Sequence, residues 1–119
     1  MSYVHGFLLA VPDAKKSAYT DIAKASAKMF RDNGALSVME AWGADVPDGK
    51  VTSFPMAVKL EAGETVVFSW IIWPDKATAD SGMAASMPQL EALMGPDMSK
   101  MPFDGTRMMW GGFESIVEM

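Results

Sequence analysis

The chain has 119 residues, half of them hydrophobic, with ten basic and fifteen acidic side chains and a net charge of −5. This length and apolar content suit one domain over residues 1–119 and exclude a disordered tail. Nucleic-acid and anionic-membrane binding need clustered basic residues, which the sequence lacks, so we expect neither partner. With no cysteine, disulfides, thiolate metal sites and thiol nucleophiles are excluded.

The first strand is predicted at residues 3–11, where apolar side chains point to both faces. His5 shares one of these faces with Tyr3 and Phe7. No basic region with a following apolar run and cleavage site precedes the strand, so we expect no signal peptide. Together with the absence of cysteine, this favours a cytoplasmic protein.

A helix is predicted over residues 13–33, because apolar side chains recur there at three- and four-residue steps. Asp13 is its expected N-cap, and Gly34 is expected to end it in a left-handed conformation. The second strand is predicted at residues 36–42, and it carries Glu40 on an otherwise apolar face.

The middle of the chain is predicted to hold an inserted β-hairpin arm. Residues 43–50 form a turn-rich loop, residues 56–60 a short extra strand, and residues 61–64 the turn back. The strand that follows, residues 65–73, is nearly all β-branched or aromatic. Nine such residues are too few to span a bilayer, so they indicate a strand that is apolar on both faces.

The second helix is predicted to begin near Asp75 and to end at Pro88, with one further turn over residues 89–94. Its apolar spacing is poor, and Gly82 lowers its helix propensity further.

The last strand is predicted at residues 107–117, and its adjacent glycines at 111 and 112 indicate a bulge or a close backbone contact. The order β-α-β-β-α-β predicts a ferredoxin-like α+β fold: a four-stranded antiparallel sheet with two helices on one face. The other face is left bare and apolar. We therefore predict a homodimer in which two sheets pack face to face, a dimeric α/β barrel.

Several motifs along the chain are long enough to be specific. They are EAW at 40–42, DVPDGKVT at 45–52, VVFSW at 66–70, MPFDG at 101–105, RM at 107–108 and GGFE at 111–114. In these motifs the chain resembles the YbaA-like family of unknown function, nearly end to end. The resemblance implies a ferredoxin-like subunit of the dimeric α/β-barrel superfamily and no established activity. Pro55 and Ala79 stand where the resemblance leads us to expect arginines, so an anion site built on those arginines would be missing here.

Two titratable side chains lie on otherwise apolar strand faces. Glu40 would be expensive to bury as an unpaired charge. It is either a general base with a raised pKa in a pocket, or a structural residue paired with Arg107 or Lys59 or exposed on an edge strand. His5, the only histidine, is either a general acid or base or a hydrogen-bonded interface residue.

Asp104 and Arg107 flank a turn before the last strand. Arg107 could clamp a polar substrate in a bidentate manner, or the two residues could be a turn cap and a salt bridge. No metal site is predicted, since one histidine without cysteine makes no conventional site and the acidic loop matches no calcium pattern. Copper(I) held by Met98 and Met101 is the weaker alternative, because methionine more often fills gaps.

A pocket between the sheet and the helices is the predicted ligand site. Aromatic and methionine walls suit flat hydrophobic molecules such as quinones or polyketides, although the same side chains also suit core and dimer packing. The predicted ligand-binding residues are Trp42, Trp70, Met83, Met87, Asp104 and Trp110.

The sequence alone assigns no activity, and three functions stay open. The first is a homodimer that binds a small hydrophobic or aromatic molecule without a cofactor. The second is a cofactor-independent enzyme, monooxygenase-like or isomerase-like by analogy, in which Glu40 or His5 moves a proton and Arg107 holds an oxyanion. The third is a structural or protein-interaction module. The enzyme predicts that Glu40 or His5 opens onto a cavity of several hundred Å³.

Overall fold

The structure, a computed structural model, describes residues 1–95 and 101–119. In these ranges four strands form one sheet, and two long helices cover one of its faces. The strands are β1 (Tyr3–Pro12), β2 (Ser37–Trp42), β3 (Glu64–Trp73) and β4 (Met109–Glu114). The helices are α1 (Lys16–Asp32), the single-turn α2 (Phe54–Ala57) and α3 (Lys76–Met94), with 3-10 turns at Asp13–Lys15 and Gly105–Arg107.

The sheet has the strand order β2-β3-β1-β4, and all neighbouring strands are antiparallel. The two strands with apolar side chains on both faces, β1 and β3, pair in the centre of the sheet. The long helices cover one face of these strands, and the region around α2 covers part of the other face. The predicted ferredoxin-like α+β fold is confirmed. None of the helices among the described residues has the length and apolar content needed to cross a bilayer.

Trp73 is the centre of the core between the sheet and the helices. It is fully buried and packs against Phe30 of α1, Ile71 of β3 and Ala79 of α3. Its indole N–H donates a hydrogen bond to Nδ1 of His5 at 2.9 Å. The ring therefore ties α1 and α3 to both central strands.

The start of α1 differs from the prediction that Asp13 is its N-cap. Asp13 lies inside the 3-10 turn, and no side chain caps either this turn or α1. Its carboxylate instead accepts a hydrogen bond from the hydroxyl of Thr65, and its backbone N–H donates to the carbonyl of Gly63 at 2.8 Å. The hydroxyl of Thr65 thus binds the carboxylate oxygen that would otherwise accept a hydrogen bond from the first turn of the helix. At the other end, Gly34 has φ +112°, as the left-handed stop requires.

The predicted β-hairpin arm is wrong, because α2 and a turn occupy the segment. Ser53 accepts a hydrogen bond from the N–H of Met56 and caps α2, whose first turn contains Pro55. A serine cap with a proline in the first helical turn is a helix-start signal that outweighs the apolar run after it. Val58, just after α2, is fully buried against Ala10 and Val66 on the face of the sheet opposite the helices.

The prediction that Pro88 ends the second helix is also wrong, since α3 continues to Met94. Proline costs a helix one backbone hydrogen bond. Here Asn33 braces the helix on both sides of the break, because its side-chain amide donates to Oγ of Ser86 at 3.0 Å and to Oε1 of Gln89 at 3.2 Å. The predicted cap is present, with Asp75 accepting from the N–H of Thr78 at 2.7 Å.

The last strand is shorter than predicted, and its register against β1 runs without interruption through both glycines, so there is no bulge. The close backbone contact is the correct alternative. A Cβ on Gly112 would lie 2.0 Å from the hydroxyl of Tyr3, and Gly111 lies under the ring of Phe113.

The sheet face turned away from α1 and α3, which we call the outer face, is apolar and partly bare. The solvent-exposed fraction of Phe68 is 44% and that of Phe113 is 60%, although the region around α2 covers part of the same face. The outer face is defined by the side chains of Met39, Phe68, Trp70, Met109 and Phe113.

Candidate functional site

A cavity of about 1180 Å³ lies between the sheet and the helices, on the side opposite the outer face. Its walls come from all four strands, both long helices and the segment before β4. Its lining includes seven of the predicted site residues, namely His5, Glu40, Trp70, Met83, Met87, Asp104 and Trp110.

The helix α3 opens this cavity because it uses two neighbouring faces for different purposes. Its small residues Ala79, Gly82 and Ser86 are buried at three- and four-residue steps and allow close approach to the sheet. Its larger residues Met83 and Met87 line the cavity. The poor apolar spacing in the sequence reflects this division, since the packed face is built from small side chains.

Glu40 lies on the cavity wall, and Tyr19 holds its carboxylate. The hydroxyl of buried Tyr19 lies 3.0 Å from Oε2 and 3.2 Å from Oε1. Ser69 is the cross-strand partner of Glu40 in β3. Arg107 and Lys59, the partners of the structural alternative, form no ion pair with Glu40 in the described part of the chain.

The environment of Glu40 raises its pKa. Burial of the carboxylate is the main cause, and the neighbouring hydroxyls of Tyr19 and Ser69 oppose it. Because β2 is an edge strand, the residue as a whole is exposed, and water reaches the side chain from one side, which limits the rise. Glu40 is thus an accessible carboxylate with an enclosed inner side. Burial and the neighbouring carboxylate of Glu40 likewise raise the pKa of Tyr19, so Tyr19 remains a neutral donor.

His5 lies deeper, with 6% of its surface exposed. Its Nδ1 accepts the hydrogen bond from Trp73, so a neutral imidazole carries its proton on Nε2. Burial lowers the pKa of His5, and the charge of Asp80 acts in the opposite direction. His5 is therefore a neutral ring with a fixed tautomer in the wall of the cavity.

Arg107 does not belong to the cavity lining. Its guanidinium forms two hydrogen bonds of 2.7 Å to the carboxylate of Glu64, one of 3.1 Å to Asp104 and one of 3.1 Å to the carbonyl of Lys59. Asp104 borders the cavity, but its oxygens also accept from the backbone and hydroxyl of Thr106. These contacts tie the turn before β4 to the start of β3.

The Glu64–Arg107 pair makes the free energy of unfolding depend on pH. The pKa of Glu64 is lowered, chiefly by the hydrogen bonds from Arg107, so the folded state binds a proton there less readily than the unfolded state. Its stabilising contribution is present above the ordinary pKa of 4.5 and is lost as pH falls through the lowered value. We expect urea denaturation to show wild type more stable than Glu64→Gln at pH 7, with a difference that shrinks below about pH 4.5. A difference that does not change with pH would contradict this.

Two of the predicted tryptophans do not place their rings in the cavity. Trp42 is not part of the cavity lining, and Nζ of Lys16 lies 4.9 Å from the centre of its ring. Trp70 borders the cavity, but its side chain points to the outer face, where its ring centroid lies 5.2 Å from that of Phe68. Its main chain is therefore the part that can reach the cavity.

Sequence reasoning missed several residues that the structure brings to the site. The sequence pattern places Tyr19 only in the apolar stripe of the first helix, and Ser69 only on a strand face; a hydroxyl inside each apolar pattern was the available signal. The other missed lining residues include Leu90 and Phe103. Among the described residues, no cluster of histidine and acidic side chains could hold a metal ion. Met98 of the copper alternative lies outside the described residues.

Comparisons with known proteins place the chain among homologues without an assigned activity. Residues 2–105 match the family described as "Protein of unknown function (DUF1428)". The proteins called "Uncharacterized protein YbaA" from Escherichia coli strain K12 and from Shigella flexneri are each 50% identical over 118 residues, which cover 99% of this chain and 99% of theirs.

Three solved structures share the fold at 12–13% sequence identity. Rv0793 from Mycobacterium tuberculosis has a TM-score of 0.60, with 99% of this chain and 98% of that chain covered. SnoaB from Streptomyces nogalater, a cofactor-independent oxygenase, has a TM-score of 0.60, with 99% of this chain and 96% of that chain covered. A dimeric ferredoxin-like protein from an uncultured marine organism has a TM-score of 0.52, with 100% of this chain and 98% of that chain covered. At this identity the likeness shows the fold alone, whereas the family match and the YbaA relatives show that the chain belongs to the DUF1428 family.

Proposed function

We propose that the chain binds a small, mostly apolar, ring-containing molecule in the cavity between the sheet and the helices. The observation that carries this is the cavity itself: about 1180 Å³, with walls rich in apolar side chains and few polar groups. Ligand sites in proteins are typically concave, apolar and about 300–1,000 Å³ in volume, with a small number of placed polar groups.

The walls suit a flat ligand. Phe7, Phe30, Phe103 and Trp110 supply aromatic surface, and several methionines adapt to an irregular outline. His5 and Glu40 are the groups that could orient a bound molecule. A purely structural module would need no such cavity, so we place that function behind binding.

A substitution that fills the cavity tests the proposal. Ala27 of α1 lines the cavity, whereas Ala18 of the same helix is exposed and does not. We expect at least one of menadione, riboflavin and lauric acid to raise the melting temperature of wild type, by up to about 10 °C at a hundredfold excess over Kd. Ala27→Trp should abolish that rise, because the indole occupies the ligand's volume, and Ala18→Trp should keep it.

Two outcomes of this experiment would count against cavity binding. One is an unchanged melting temperature with all three ligand classes. The other is an equal ligand-induced rise in Ala27→Trp and Ala18→Trp, which would place the bound ligand elsewhere.

Proton transfer by Glu40 is a second candidate function. It is favoured by a carboxylate with a raised pKa that borders the cavity and remains accessible. SnoaB, which shares the fold, is described as a cofactor-independent oxygenase, but a shared fold does not transfer chemistry. Arg107 is left out of this candidate because its guanidinium is engaged by Glu64 and Asp104.

Solvent deuterium exchange measures this candidate directly. For an aryl ketone that binds, we expect wild type to speed the exchange of the acidic C–H next to the carbonyl by about 10²–10⁴-fold, and Glu40→Gln to remove the acceleration. The amide is nearly isosteric and can still accept a hydrogen bond from Tyr19, so folding is preserved. Binding without any acceleration would leave the chain a binding protein.

We also propose that the protein is a homodimer formed through the outer face. Exposed Phe68, Phe113 and Met39 make this face more apolar than a monomer's surface usually is. A related fold is described as dimeric in the marine ferredoxin-like protein. A second copy of the chain is the partner that fits the outer face, because a twofold axis packs two identical sheets against each other.

A further inference from the structure

The cavity has two polar positions on one wall, and the sheet register fixes their separation. Glu40 in β2 pairs with Ser69 in β3, while His5 in β1 pairs with Ile71, two residues further along β3. The two side chains are thus two strands apart and offset by two residues. With about 4.8 Å between strands and about 3.4 Å per residue, their Cα atoms lie about 12 Å apart.

The wall between these positions is mostly apolar, and Ser69 beside Glu40 is its polar side chain. Ile71 and Val38, the neighbours of His5 and Glu40 in the sheet, line the cavity there, and Phe7 lies beside them. A ligand that spans the two positions therefore rests on hydrocarbon along its length and meets polar groups near its ends.

The two ends differ in what they offer. Trp73 occupies Nδ1 of His5, which leaves Nε2–H as the donor of a neutral ring. The neutral ring carries no positive charge to hold an anion, so this end favours a neutral acceptor; the carboxylate of Asp80, which also borders the cavity, is paired with Nζ of Lys76 at 2.8 Å. At the other end the Glu40 carboxylate accepts from Tyr19 and keeps capacity for another donor. A neutral hydroxyl suits this position better than a cation, which would lose its hydration among apolar walls.

From this arrangement we infer the class of ligand: a flat, elongated ring molecule with a carbonyl oxygen at one end and a hydroxyl at the other. Nε2–H of His5 donates to the carbonyl, and the hydroxyl donates to the carboxylate of Glu40. This inference rests on the proposed binding function and narrows it to one chemistry.

A matched set of probes tests both contacts. 6-Acetyl-2-naphthol carries both groups, 2-acetylnaphthalene lacks the hydroxyl, and 2-naphthol lacks the carbonyl. We expect each single-group probe to bind wild type about tenfold more weakly than 6-acetyl-2-naphthol, as measured by titration calorimetry, because each loses one hydrogen bond.

Two variants assign each group to its residue. His5→Asn can keep an acceptor for Trp73 but lacks the Nε2–H donor, so it should bind both acetyl probes about tenfold more weakly and 2-naphthol unchanged. Glu40→Gln keeps the bond from Tyr19 but gives up the charge that strengthens a bond from a hydroxyl. It should bind the two hydroxyl probes about fivefold more weakly and 2-acetylnaphthalene unchanged.

Equal affinity of wild type for all three probes would overturn the inference while leaving cavity binding intact, since apolar contact alone would then explain binding. The inferred ligand class is also wrong if no naphthalene probe binds but menadione, riboflavin or lauric acid still gives a rise in melting temperature that Ala27→Trp removes. The proposed function would fail as well only if none of the three ligands raised the melting temperature of wild type, or if the rise were equal in Ala27→Trp and Ala18→Trp.

Discussion

Replacing Gly82 with alanine is expected to destabilise the protein by about 3 kcal/mol, although the same change stabilises most helices. Gly82 is buried in the middle of α3. A Cβ built there would lie 2.3 Å and 2.6 Å from two ring carbons of Trp73 and 2.7 Å from the backbone carbonyl oxygen of Asn33. Neither partner can move easily, because Trp73 is fully buried and Asn33 follows the end of α1.

Two opposing effects decide the sign of this change. Alanine gains about 1 kcal/mol over glycine in helix propensity. Overpacking a close-packed core costs about 1–3 kcal/mol, and more where backbone must shift. With contacts well under 3 Å on two sides, relief requires α3 to move away from the sheet, which also separates Trp73 from its partners.

Urea denaturation of Gly82→Ala and Ser81→Ala measures this effect. Ser81 is the exposed neighbour in the same helix, so its replacement by alanine changes propensity without adding an atom to the core. We expect the Ser81→Ala midpoint to stay near wild type and the Gly82→Ala midpoint to fall sharply. A Gly82→Ala variant as stable as wild type would show that α3 does not approach Trp73 this closely.

The sheet was predictable from sequence because its pattern is local. Alternation along residues 3–11 and 65–73 places apolar side chains on both faces, and such strands belong in the centre of a sheet. The second helix was harder, because its packed face consists of Ala79, Gly82 and Ser86, which no hydrophobicity pattern marks. Its continuation past Pro88 depends on Asn33, which is 53 residues from Ser86 in the chain.

The candidate site was only partly predictable for the same reason. A carboxylate on an apolar strand face identified Glu40, and a lone histidine identified His5, since both signals lie within one element. The partners that define their chemistry, Tyr19 for Glu40 and Trp73 for His5, come from other elements. The guanidinium of Arg107 could in principle clamp a polar substrate, but it is bound by Glu64, which is 43 residues away in the chain.

Phe68→Glu is expected to convert the proposed dimer into a monomer at micromolar concentration. Phe68 lies on the outer face in the central strand β3, with its ring centroid 6.0 Å from that of Phe54. Sedimentation should give twice the chain mass of 12.9 kDa for wild type and a single chain mass for the variant. Leu93→Glu is the matched control, because Leu93 on α3 keeps 40% exposure against 44% for Phe68 but does not belong to the outer face.

The size of the effect follows from symmetry. In a twofold dimer each substitution is present on both sheets, so two carboxylates become buried at about 2 kcal/mol or more each. About 4 kcal/mol in total weakens the dimer by roughly a thousandfold in Kd. The monomer should remain folded, because Phe68 is already half exposed and the core around Trp73 lies on the other side of the sheet. A wild-type chain that sediments as a stable monomer would show that the outer face tolerates water, and the need for a second copy would disappear.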